Sequence, residues 1–259
     1  LPKGLIRLLK KQPGFWDLPE LPEIGSPLSN SGLIHEAQIS ISKKVNIKNC
    51  FFGVNGASGL IQSGIIAMAN PGEFFLMPRN VHISAVKACA LQDIIPIFFD
   101  IEFSEETGHY MPITTKWFKN VLNNIDFENK KIAGVILVSP YYQGYATELE
   151  PLIKICHQHD LPVLVDEAHG SYFLFCENFN LPKSAIRSKA DLVVHSLHKS
   201  LNGLTQTAVL WHNGNLIEEN SLIKSINLLQ TTSPNSLLIA SCEESINDWL
   251  NKDNLDKYK

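Results

Sequence analysis

The chain has 259 residues, 44% of them hydrophobic and 19% charged, with a formal net charge of −4. That length buries one large core or two modest ones, and the charge balance offers no electrostatic grip on nucleic acid or an anionic membrane surface. No apolar run approaches the roughly 20 residues that span a bilayer, which sets aside a helical membrane protein. The five cysteines (Cys50, Cys89, Cys156, Cys176 and Cys242) are scattered without a Cys-x-x-Cys pair. This spacing predicts free, mostly core thiols in a reducing compartment, and hence a cytoplasmic protein. No charged-then-apolar leader opens the chain, and its start at Leu1 and polar end at Asn251 to Lys259 read as a piece of a longer protein.

Five prolines (Pro2, Pro13, Pro19, Pro22 and Pro27) in the first thirty residues predict an irregular arm, broken by a short helix at Leu5 to Lys10. Regular alternation follows. Helices are expected over Gly32 to Val45, Ser58 to Ala69, Ile83 to Leu91, Thr115 to Asn123, Glu148 to His159 (entered through Thr147 as its N-cap), Leu216 to Leu229 and Ser236 to Leu250. Strands are expected over Cys50 to Val54, Glu73 to Met77, Ile94 to Phe98, Ile132 to Val138, Leu161 to Val165, Ala190 to Val194 and Ala208 to Trp211. Near-continuous apolar strands alternating with helices predict an α/β protein: a three-layer α/β/α sandwich with a mainly parallel central sheet. Ligands of such sheets bind beyond the carboxyl ends of the strands.

Two segments fall at such ends. Asp166-Glu167-Ala168-His169 follows one strand, and His195-Ser196-Leu197-His198-Lys199-Ser200 follows the next, with Lys199 placed in a loop. An acid and a lysine that converge there suit pyridoxal 5'-phosphate: the lysine holds the cofactor through its amine, and the acid keeps the ring nitrogen protonated. The plain alternatives are a structural acid and a solvated lysine. Asn55-Gly56-Ala57-Ser58-Gly59 joins a strand to a helix and fits a phosphate at the helix N-terminus, or is a tight turn with no ligand. His82, after another strand, either stacks on an aromatic ring or caps a helix. Asp-Glu-Ala-His also occurs in nucleotide-hydrolysing helicases, but that chemistry needs a Gly-Lys phosphate loop and the chain has no Gly-Lys dipeptide. His157 with His159, or His195 with His198, lack metal-ligand spacing, so no metal site is expected and the helix-end histidines read as solvated.

Taken in order, Phe52-Gly53-Val54-Asn55-Gly56-Ala57-Ser58-Gly59, Pro78-Arg79-Asn80-Val81-His82-Ile83-Ser84, Val165-Asp166-Glu167-Ala168-His169-Gly170, Ser196-Leu197-His198-Lys199-Ser200-Leu201, Leu204-Thr205-Gln206-Thr207-Ala208 and Thr231-Thr232-Ser233-Pro234 resemble the major domain of the pyridoxal-phosphate-dependent ornithine/lysine/arginine decarboxylases, of the aspartate-aminotransferase fold. The resemblance runs from about Gly32 to Ser241. It implies an arm over 1–31, a cofactor-binding major domain over 32–235, and a helix over 236–259 leading to a small C-terminal domain that is absent. It implies that Lys199 holds the cofactor, Asp166 pairs with the ring nitrogen, and His82 and Ala168 pack on the two ring faces. Gly56, Ala57, Ser58, Ser196 and His198 would surround the phosphate, and His169 would lie at the ring edge or the substrate. Lys199 and His169 are the candidate proton handlers. Thr232 would reach the phosphate of a neighbouring subunit in a homodimer or higher homo-oligomer. The implied reaction is decarboxylation of a basic amino acid, with transamination, aldol cleavage or a non-catalytic fragment as alternatives. Ala57 stands where the family usually carries a hydroxyl, and the family's proline-glycine-histidine segment is missing.

Overall fold

In the computed structural model, which describes residues 1–19, 21–177 and 179–251, alternating apolar residues decide how the sheet is covered. The chain runs through α1 (Lys3–Leu9), α2 (Leu33–Val45), β1 (Asn49–Gly53), α3 (Gly56–Met68), β2 (Phe74–Pro78), α4 (Ile83–Gln92) and β3 (Ile95–Phe99). A small hairpin, β4 (Phe103–Ser104) and β5 (His109–Tyr110), precedes α5 (Thr115–Asn123) and β6 (Ile132–Val138). There follow α6 (Leu149–Gln158), β7 (Val163–Asp166), β8 (Leu192–Ser196), α7 (Leu197–Ser200), β9 (Ala208–His212), α8 (Glu219–Leu229) and α9 (Ser236–Leu250).

The main sheet has seven strands in the order β1-β9-β8-β7-β6-β2-β3. Its neighbours are parallel except around β9, which is antiparallel to both β1 and β8. Successive side chains of a strand point to opposite faces, and the sequence follows that period. Phe52, Val135, Leu137, Val163, Val165, Val193 and Trp211 face one core with α2, α5, α6 and α9. Phe51, Ile136, Leu164, Leu192, Val194 and Leu210 face the other, with α3, α4 and α8. The three-layer α/β/α reading holds.

Several local expectations are corrected. The short helix expected at Leu5 to Lys10 is present as α1, two residues earlier at Lys3–Leu9, and it docks with Leu5 fully buried; a 3-10 turn follows at Pro13–Phe15. Thr147 does not cap α6. Glu148 is the N-cap, without a side-chain bond, because the Thr147 hydroxyl accepts instead from the Ile113 N–H at 3.3 Å. Asp166 and Ser196 end their strands rather than follow them, and Lys199 sits in the one-turn helix α7, not in a loop. His157 is not solvated: its Nε2 pairs at 2.9 Å with the buried Asp191, which also accepts from the Val163 N–H. His159 is exposed, as expected, and stacks on Phe127. The expectation of free, core cysteines holds for all five. Of the closing segment expected over 236–259, the helix ends at Leu250 and residues 252–259 lie outside the described residues. Among the described residues no helix is long and apolar enough to cross a membrane.

Candidate active site

The carboxyl ends of β7 and β8 open into a cavity of about 590 Å³. Parallel pairing aligns those ends, so residues distant in sequence meet there. Asp166 and His169 arrive from β7 and its following turn, and Ser196, His198 and Lys199 from β8 and α7. Gly56, Ala57 and Ser58 come from the start of α3, and His82 from the start of α4. Ten of the eleven residues expected at the site therefore line one cavity, Ala168 included. Thr232 does not. It lines a separate hollow of about 400 Å³ with Leu21, Pro22 and Thr231, beside the N-terminal arm.

Asp166 is only 7% exposed, and its Oδ1 accepts from the Ala168 N–H at 3.1 Å. Burial pushes its carboxyl above the usual value, against the Ala168 hydrogen bond and the nearby Lys199 and His82. Among the described residues it forms no salt bridge. A buried acid of this kind is charged at neutral pH when a cation lies against it. Lys199 Nζ lies 2.9 Å from His169 Nε2. An ammonium has only donors, so His169 accepts there. Burial lowers the His169 pKa, with Lys199 and His82 adding to the effect, which leaves the ring unprotonated at neutral pH.

The turn into α3 has the shape of an anion site. Gly56 has φ of +71° and donates its N–H to Gln206 O, at 2.9 Å. A Cβ at that position would meet open space, so conformation rather than crowding selects glycine. The N-cap Asn55 gives no side-chain bond to the first turn; its amide donates instead to Leu229 O. First-turn N–H groups have no intrahelical acceptor, and they sit at the positive end of the helix. The exposed Ser58 hydroxyl adds a donor, and the Ser196 hydroxyl lies 3.2 Å from His198 Nδ1. His82 caps α4, its Nδ1 accepting from the Ser84 N–H, and the residue also lines the cavity.

Sequence reasoning passed over two features. Tyr142, 85% exposed, lines the cavity and sets its ring edge-on to His169, with centroids 5.6 Å apart. No periodicity marks it, because it lies in a loop. Glu167 and His195 are fully buried and bonded to each other at 2.8 Å. Their signal was present: each is a polar residue next in sequence to a cavity residue, Glu167 to Asp166 and His195 to Ser196. Among the described residues no three His, Cys, Asp or Glu side chains cluster as metal ligands would.

A mainly parallel sheet with an acid, a lysine and a helix start lacking a side-chain cap around one cavity defines an α/β protein of the three-layer class with its candidate site at the strand ends. The family model for the Orn/Lys/Arg decarboxylase major domain matches residues 16–255, and the chain belongs to that family. It is 33% identical over 227 residues to an arginine decarboxylase of Bacillus subtilis (strain 168), covering 88% of this chain and 45% of that protein. The chain thus spans about half the length of the curated relatives it matches. Among solved structures, a lysine decarboxylase of Francisella novicida superposes with a TM-score of 0.80 at 22% identity, over 93% of this chain and 35% of that one. A serine palmitoyltransferase of S. paucimobilis with bound PLP and myriocin gives 0.69 at 16% identity, over 97% and 61%. Both likenesses show the shared fold.

Proposed function

We propose that this chain is the pyridoxal-phosphate-binding part of a carbon–carbon lyase that decarboxylates a basic amino acid, with arginine the favoured substrate and lysine or ornithine the neighbouring choices. The observation that carries the reading is the convergence on one cavity of the buried Asp166, the exposed Lys199 and the start of α3, which has no side-chain cap. The donor set fits the cofactor at both ends: N–H groups and hydroxyls for a phosphate, and a buried carboxylate that needs a cation. The 33% identity to an arginine decarboxylase supports the substrate choice.

When bound, the cofactor supplies an electron sink for the pair of electrons left by departing carbon dioxide. Lys199 would hold it through Nζ, and Asp166 would hold the ring nitrogen positive, which burial makes stronger. His82 and Ala168 would flank the ring. Gly56, Ala57, Ser58, Ser196 and His198 would bind the phosphate, with Ala57 offering its backbone alone. His169 Nε2, already an acceptor for Lys199 Nζ, would take up the proton Lys199 gives up and return one to the substrate carbon. Thr232, outside the cavity, would act on the site of a second copy in a homodimer, so the assembled site is a property of the oligomer. We assign residues 1–31 to the arm, 32–235 to the cofactor domain and 236–259 to the connection toward a further domain, and we place the protein in the cytoplasm.

The test is a product assay. Purified chain with pyridoxal phosphate and arginine, lysine or ornithine should release carbon dioxide and the matching amine. A keto acid in place of carbon dioxide would replace decarboxylation by transamination. No product from any of the three, with cofactor bound, would leave the chain a cofactor-binding fragment of a larger enzyme.

A further inference from the structure

Asp166 and Glu167 are consecutive, and so are Ser196 and His195, yet only one member of each pair lines the cavity. The other two meet behind the sheet ends. Trp211 Nε1 donates to His195 Nδ1 at 2.8 Å, and His195 Nε2 lies 2.8 Å from Glu167 Oε2. Glu167 Oε1 accepts from the Ala185 N–H at 2.9 Å. All three side chains are fully buried.

We infer that Trp211, His195 and Glu167 form a hydrogen-bond chain of fixed direction that positions Asp166 and Ser196 for the cofactor; this rests on the cofactor reading above. An indole N–H can only donate. His195 Nδ1 must therefore accept, its ring proton sits on Nε2, and Nε2–H donates to Glu167. The direction is set at the tryptophan and cannot reverse. The backbone repeats the tie, since the Glu167 N–H donates to Val194 O at 3.1 Å. The chain thus pins the last peptide of β7 to β8, and β8 to β9 through Trp211. Asp166 precedes one pinned residue and Ser196 follows the other. Glu167, His195 and Trp211 are positioning residues: they act through Asp166 and Ser196.

A donor chain with one direction makes an unusual prediction. Glu167→Gln has a single oxygen for two donors, Ala185 N–H and His195 Nε2–H, so its amide faces one of them. His195 could answer by moving its proton to Nδ1, but that proton would meet the Trp211 N–H. Trp211→Phe removes the obstacle. The experiment measures pyridoxal-phosphate affinity by visible absorbance, and cofactor orientation by visible circular dichroism, in wild type, Trp211→Phe, Glu167→Gln and the double variant. Urea unfolding of each cofactor-free chain runs beside them. The expected result is a loss of about tenfold or more in affinity for Glu167→Gln, an altered dichroic band, and partial recovery of both in the double variant, as couplings between contacting residues allow. Changes in unfolding alone, with unaltered affinity and dichroism, would reduce the chain to a structural role and overturn the inference. So would strictly additive losses. A wild type with no cofactor band would overturn the cofactor reading itself, and this inference with it. A wild-type band with unaffected variants would overturn the positioning alone.

Discussion

Replacing Asp166 by Asn should stabilise the cofactor-free chain near neutral pH while weakening its hold on pyridoxal phosphate. Asn matches Asp in size and can still accept from the Ala168 N–H, 3.1 Å from Oδ1, so the change is mainly one of charge. Burial raises the Asp166 pKa in the fold above 3.8, its ordinary value, against the Ala168 hydrogen bond, Lys199 and His82. The native state therefore holds this proton to higher pH than the unfolded chain does. Its contribution to stability is fully present below 3.8 and is lost as pH rises through the raised native value. Asn does not titrate, so the stability difference between variant and wild type should grow in the variant's favour across that window. With cofactor the sign reverses. A hydrogen bond to a charged group is worth about 1.5–3 kcal/mol, which converts to a roughly 10- to 150-fold weaker affinity. Thermal unfolding across pH without cofactor, and absorbance titration with it, measure the two halves. Equal affinity in the two proteins, or a stability difference that does not change with pH, would refute the reasoning.

Four further outcomes follow from the same geometry. Ala57→Ser places a hydroxyl on the first turn of α3, beside the cavity, and should tighten pyridoxal-phosphate binding by up to about tenfold, the worth of one good hydrogen bond; the same titration reads it. Gly56→Ala forces a side chain into φ of +71° and should cost about 1–2 kcal/mol in urea unfolding. Leu5→Ala should cost about 2–5 kcal/mol, as for a core leucine, because Leu5 is fully buried in α1; a negligible loss would detach the arm from the fold. Cys50, Cys156 and Cys242 have pKa values pushed up by burial to about 12, and Cys89 to about 11. A thiol reagent at mildly alkaline pH should leave all four unmodified until the chain is unfolded.

Long apolar runs made the sheet legible. Ile132 to Val138 reads as a buried strand by composition alone, and the structure keeps those bounds. Shorter features carry no period: β4 and β5 have two residues each, and α7 has four. Thr147 was misread because a hydroxyl before a helix can serve any nearby N–H, and here the Ile113 amide, distant in sequence, claims it. That most of the expected residues meet at one cavity was legible for a simple reason. Asp166, Lys199 and Gly56 sit at the ends of strands or in the turns that follow, where chain order already implies position in space. Thr232 was expected to act on a neighbouring subunit, and within one chain it lines a hollow beside the arm. Glu167 and His195 were missed because they were read as members of motifs, when alternation along β8 turns His195 away from the cavity and Glu167, just past the end of β7, bonds to it there.

The central claim is that Lys199 holds pyridoxal phosphate through its amine, opposite Asp166. Purified chain should be mixed with the cofactor, reduced with borohydride, digested and analysed by mass spectrometry, with Lys199→Ala in parallel. The account predicts a visible absorption band in wild type, a reduced pyridoxyl mass on the peptide that contains Lys199, and neither in the variant. A pyridoxyl mass on another lysine, or an undiminished band in Lys199→Ala, would contradict it.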